Sequence, residues 1–186
     1  MATPWPQWLI NSFLSASQPQ FATDESVFYG PYTRLLYHLF GVEGPFEISP
    51  QFQTRSDAID IVALFVVELN KHPVFFIEVR PPGSFTLDSR RKQADEQMRD
   101  RFRDLRHALV TPRLPGISAF GTRLAFYEYV AATNSLTPRA IAPDDQFLTD
   151  VAPANRWDHD VLDANGTARV RQVVQDVIAM CQALGG

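Results

Sequence analysis

Val74–Arg80 reads VFFIEVR, and the fold is decided by how this stretch is understood. Five of its seven residues are β-branched or aromatic, as a strand packed on a pleated surface requires. Pro81-Pro82-Gly83 ends it, because a proline pair cannot continue a sheet ladder. Two charges, Glu78 and Arg80, lie inside an otherwise apolar run, on one face because strand side chains alternate.

Upstream, Asp57–Val67 places Ile59, Ile61, Ala63 and Phe65 on one face and Asp60, Val62, Leu64 and Val66 on the other. Beyond Val62 both faces are apolar, so the strand is expected to be covered on both sides. Leu69-Asn70-Lys71-His72-Pro73 is a turn, which makes the two strands a hairpin. Phe46–Ser49 precedes them as a short strand stopped by Pro50. Before that, Pro31–Phe40 carries Tyr32, Leu35, Leu36, Leu39 and Phe40 on one helical face and ends at Gly41. This helix begins at Pro31 or, with a kink there, as early as Asp24.

Downstream, Ser89–Leu109 is a charged helix with one narrow apolar stripe: Ala94, Met98, Phe102, Leu105 and Leu109. Ile117–Phe120 and Arg123–Val130 are further strands. Residues 131–166 lack a period and read as a long ordered loop, anchored by Trp157, with a turn at Asn165-Gly166. Ala168–Leu184 has a wide apolar face and is a core helix. Residues 1–22 form an extension that docks by its aromatics, with little regular structure expected beyond Trp8–Leu14. Residues 23–186 are expected to form one domain with its core over about 31–130. The order helix, three strands, helix, two strands predicts an α/β domain with a mixed sheet.

Composition narrows the function. The 186 residues carry a net charge of -4, which argues against coating nucleic acid or membrane by bulk charge. Arg80–Arg106 departs from this, with eight Lys/Arg against five Asp/Glu. A single cysteine, Cys181, forms no internal disulfide and no zinc site. No apolar run approaches the ~20 residues of a membrane span, and the first residues are a poor signal peptide. An intracellular protein, cytoplasmic or nuclear, is therefore expected. His38, His72, His107 and His159 lack metal-ligand spacing. Ser118 lies in Gly116-Ile117-Ser118-Ala119-Phe120, which has Phe where a nucleophile elbow needs its second glycine.

Charges in buried strands cost free energy unless paired or bound to an ion. The hairpin would bring Asp60 near Glu78 and Arg80 at one sheet end, with Asp57 as the other nearby carboxylate. Two carboxylates form a hard-oxygen site suited to Mg²⁺. On the next helix Arg90, Gln93, Gln97, Arg101 and Asp104 line one edge of the apolar stripe and are expected to face that site. Arg90-Arg91-Lys92 sit in the first turn, where cations oppose the helix dipole and suit a bound anion.

Ala58-Ile59-Asp60-Ile61-Val62, followed by Ile77-Glu78-Val79-Arg80, resembles the PD-(D/E)XK nuclease superfamily, the restriction-endonuclease-like fold. The resemblance extends to the element order over residues 31–130: an αβββαβ core with a mixed sheet, followed here by a C-terminal loop and helix. It implies Asp60 and Glu78 as ligands of Mg²⁺ or Mn²⁺. Arg80 would stand at the family's catalytic lysine. Some branches carry Gln-x-x-x-Tyr on the next helix, and Gln93 and Gln97 hold that spacing with Gln in place of Tyr. The implied activity is phosphodiester hydrolysis in DNA or RNA. Asp60, Glu78, Arg80 and Gln93 would form the site, while Arg90, Arg91, Lys92, Gln97 and Arg101 would contact nucleic acid. Arginine keeps the charge but does not readily release a proton, so Arg80 would act electrostatically. The alternatives are a catalytically inactive module of the same fold binding nucleic acid or protein, and an interaction domain using the N-terminus and the 131–166 segment.

Overall fold

The computed structural model describes residues 4–53, 62–144, 146 and 149–185. The elements in chain order are α1 (Gln7–Ala16), α2 (Tyr29–Phe40), β1 (Phe46–Gln53), β2 (Val62–Leu69) and β3 (His72–Arg80). They continue with α3 (Asp88–Leu105), β4 (Arg113–Phe120), β5 (Arg123–Val130), β6 (Ser135–Thr137), β7 (His159–Asp160) and α4 (Ala164–Ala183). From α2 to β4 this is the expected αβββαβ order. The sheet runs β1-β2-β3-β4-β5-β6, with β7 also paired to β5. Among the described residues β3 and β4 pair in parallel and the other pairings are antiparallel. A parallel pair needs a crossover, and α3 supplies it.

The β2–β3 hairpin turns at Asn70 and Lys71, whose φ values are 50° and 68°. Positive φ at both central residues matches the twist of the flanking strands, and Asn accepts it at little cost. Leu64 then sits opposite Glu78, and Ala63 opposite Val79. Asp57 and Asp60 lie outside the described residues, as does the Asp57–Ile61 part of the expected strand. β1 continues through Pro50 to Gln53, past the expected stop. An edge strand tolerates a proline because one side of its ladder needs no partner.

Strand alternation sorts the core into two layers. Phe65, Val67, Ile77, Val79, Ile117 and Ala119 pack against α1, α2 and α4. Leu64, Val66, Phe76, Phe120 and Tyr127 pack against Ala94, Met98 and Phe102 of α3, with Trp157 closing that layer. Gly116 leaves room for this: a Cβ there would lie 2.6 Å from the Phe76 ring, which is packed edge-on to Phe102.

Two further expectations change. The regular stretch of the N-terminal extension, α1, is longer than the expected Trp8–Leu14; it buries Leu9, Phe13 and Ala16 while the Trp5 indole donates to Val161 O at 2.7 Å. Asn165-Gly166 lies within the first turn of α4 and not in a turn before it. Asp163 caps that helix by accepting from Gly166 N, and the Asp160 backbone fills the space where a Cβ would be. α2 starts between its two expected starts, and Pro31 sits inside it, close enough to the start that the missing N–H breaks no helical bond.

Candidate functional site

Glu78 and Arg80 project from β3 into the α3 layer, on the same side as Phe76. Both are buried, at 2% and 1% exposure. Arg80 Nη2 lies 3.5 Å from Glu78 Oε1. The same nitrogen donates to Gln97 Oε1, reaching across to α3. The expected meeting of the Gln97 edge with the strand end is therefore observed. Ser118 stands beside Glu78 in the parallel ladder and is also buried. Its hydroxyl accepts from the Trp157 indole at 3.3 Å, which gives Ser118 a place in the core and no nucleophile geometry.

The remaining α3 residues divide between the two edges of the apolar stripe. Gln93 accepts from Arg90 Nη1 at 3.2 Å, one turn N-terminal to Gln97. Arg101 is half-buried on the same edge, one turn C-terminal to it. Lys92 is exposed and sits 3.8 Å from Glu96. Arg91 departs from its expected role on an anion-facing surface. It lies on the opposite edge, buried, and its guanidinium is spent inside the fold. It donates to Phe85 O and Ala152 O, both at 3.0 Å, and pairs with Asp88 at 2.6 Å and Asp150 at 3.1 Å.

Asp95, one turn further along that edge, was not legible as special in the sequence. It is buried and pairs with Arg99 at 2.8 Å and with Arg156. The Tyr127 hydroxyl donates to it at 2.8 Å. Burial and the Asp95 charge push the Tyr127 pKa well up. Arg99 also reaches Pro138 O at 3.0 Å, and Arg156 reaches Arg139 O at 3.2 Å. The Asp95–Arg99 spacing of four was the available signal, but Glu96 at three residues from Arg99 was an equally plausible partner. The structure uses Asp95, which fastens the segment after β5 to α3.

Glu78, Arg80, Arg91 and Asp95 are the buried charged side chains among the described residues, and all four lie in the α3 layer. The opposite layer is sealed by apolar contacts and neutral hydrogen bonds, such as Tyr32 Oη to Gly121 O at 2.7 Å. The charge burial at Arg91 and Asp95 is explained by strapping the 131–157 segment. That at Glu78 and Arg80 joins the end of β3 to Gln97 of α3.

The donors near Glu78 are hard oxygens, a carboxylate and glutamine amides, which fit Mg²⁺ or Mn²⁺ in kind. The Gln97 amide oxygen is already engaged by Arg80, so a cation here would need Glu78 together with Asp60 or Asp57. Among the described residues no three His, Cys, Asp or Glu side chains gather as a metal site. No helix among them is long and apolar enough to cross a membrane. No family model, curated protein or solved structure matches the chain.

Proposed function

We propose that this chain is a metal-dependent nuclease-like protein that hydrolyses phosphodiester bonds in DNA or RNA. The observation that carries the reading is the convergence of buried Glu78, Arg80 and Gln97 on one face of an αβββαβ core. A buried ion pair contributes little net stability over apolar packing, so its presence favours a chemical role.

In this reading Glu78 and Asp60 hold Mg²⁺ or Mn²⁺. A bound divalent cation would supply charge to a phosphate oxygen and lower the pKa of a water. Arg80 stabilises negative charge developing on phosphorus, with its guanidinium held through Nη2 by Glu78 and Gln97. Because Arg80 keeps its proton, the attacking water must lose its own elsewhere. Gln93 orients that water or a phosphate oxygen. Arg90, Lys92 and Arg101 grip the backbone of the substrate strand, while Arg91 holds the layer together. In this reading the protein acts inside the cell, in cytoplasm or nucleus.

One observation favours a second reading, a module of the same fold that binds nucleic acid or protein without cleaving. Arg80 already offsets the Glu78 charge at 3.5 Å, which weakens the pull on a second cation. Cleavage of single- and double-stranded DNA and RNA, with Mg²⁺ or Mn²⁺ titrated in, decides between them. Metal-dependent cleavage that is lost in Glu78→Gln and in Asp60→Asn is the expected result. Salt-sensitive binding without cleavage at any metal concentration selects the second reading. Neither cleavage nor binding refutes both nucleic-acid readings.

A further inference from the structure

A second surface lies on the opposite layer, where α1 crosses the start of α2. Leu9 and Phe13 bury one side of α1 completely, so its position is fixed. Trp8, on its other side, is nevertheless 47% exposed. Its ring is set edge-on to His38 at 5.8 Å, which orients it without covering it. Tyr37 and Val42 expose apolar surface beside it, Val42 to 77%. Together with Arg34 they form an apolar hollow of about 340 Å³. A longer and more polar groove of about 590 Å³, between α1 and α2, shares Trp8 and Arg34 with the hollow. Arg34 therefore stands where a wet groove meets a dry one.

The chemistry of this junction is one-sided. Among the described residues Arg34 makes no ion pair or hydrogen bond, and the Trp8 indole N–H meets no acceptor. Among the described residues no acidic side chain lines either groove. Partial burial and the Arg171 charge lower the His38 pKa, so Arg34 is the groove's standing cation at neutral pH. A cation and an indole beside an apolar hollow suit an acceptor flanked by a large apolar side chain. A twofold pairing of the patch on itself would bring Arg34 toward its copy with no acid to offset it, which disfavours a second copy as the occupant.

We infer that the α1–α2 groove docks a protein segment carrying a carboxylate next to a bulky apolar residue, with Arg34 and the Trp8 indole meeting the carboxylate and Tyr37 and Val42 the apolar side chain. Amphipathic segments dock in apolar grooves through a few anchor side chains. The site lies on the layer opposite Glu78, so it functions whether or not that site cleaves nucleic acid.

The test is selection of a phage-displayed library of random dodecapeptides on the intact chain. Enriched peptides are then synthesised with a fluorophore and followed by anisotropy. Enrichment of Asp or Glu beside an aromatic or large aliphatic residue is expected. Arg34→Glu and Val42→Asp, both at exposed positions and checked for an unchanged circular dichroism spectrum, should each weaken binding about tenfold or more. Arg34→Glu should also shift a repeated selection toward basic peptides. No enrichment, peptides lacking an acid, or binding indifferent to both variants overturns the inference. So does concentration-dependent dimerisation that Val42→Asp abolishes, or tighter binding to phosphatidylcholine–phosphatidylserine vesicles than to any selected peptide.

Discussion

Replacing Glu78 by Gln while Arg80 stays in place tests what the buried pair is for. The two charges lie 3.5 Å apart, and both side chains are almost wholly shielded from water. At an effective dielectric of about 20, unit charges at that distance attract by about 4–5 kcal/mol. Removing each ion from water costs several kcal/mol, so the pair as a whole stands near balance. Glu78→Gln removes the attraction and leaves the Arg80 desolvation cost, for a loss of about 3–5 kcal/mol. In a chain of 186 residues that lowers Tm by roughly 6–20 °C, at about 2–4 °C per kcal/mol. Arg80→Met strands Glu78 in the same way and should cost a similar amount. The double replacement Glu78→Leu with Arg80→Met removes both desolvation costs. Gln97, which is half-exposed, can then turn its amide to water. The double variant should fall within about 1 kcal/mol of wild type, or above it. Urea unfolding followed by circular dichroism, comparing midpoint and slope, measures all four proteins. A double variant destabilised by the sum of the two singles would refute the reasoning and make the pair a stability element. A double variant that is stable but inert in binding and cleavage would assign the charges to chemistry.

Gly166→Ala should cost about 3 kcal/mol or more, because its Cβ would lie 1.8 Å from Asp160 O, a backbone atom that no rotamer can move; a melting temperature within 2 °C of wild type, at about 2–4 °C per kcal/mol, would contradict this. Asp95→Ala removes the carboxylate shared by Arg99, Arg156 and the Tyr127 hydroxyl, leaving the two cations only their carbonyl acceptors, and should cost about 3–5 kcal/mol. Limited proteolysis should then cut first between Ala131 and Pro153, whereas an unchanged cleavage pattern would show that other contacts hold that segment. Burial and the neighbouring Glu25 push the Tyr29 pKa up to about 12. Tyr29 thus keeps its proton in the fold at pH values where the unfolded chain has lost it. Its contribution to stability is complete below about pH 10 and is lost as pH rises toward 12. Denaturant unfolding across that window, set beside the phenolate absorbance, should show stability falling, and a flat profile would exclude the effect.

The parts of the fold legible in the sequence are those governed by short-range periodicity. VFFIEVR marks a strand because its residue types suit a sheet, and Asn70-Lys71 marks the hairpin because Asn adopts positive φ readily. Ala94, Met98 and Phe102 mark the buried face of α3 because a helix repeats every 3.6 residues. The same repeat placed Gln97 on the edge that reaches Arg80. Arg91 escaped because a cation in a first helical turn looks the same whether it awaits an anion or turns inward to Asp88 and Asp150. Asn165-Gly166 escaped because a local turn signal yields to the packing of Gly166 on the Asp160 backbone.

By itself the sequence determined the αβββαβ order, the hairpin and the faces of its helices and strands, since each depends on residues within a turn or two of one another. Only the tertiary structure decided which charges are satisfied by whom. Arg80 meets Gln97 seventeen residues away, and Arg156 meets Asp95 across sixty-one. Such pairings are fixed by how α3 lies on the sheet and how the segment after β5 folds back over it. A buried charge takes the partner that geometry brings within reach, and local spacing carries no record of that choice.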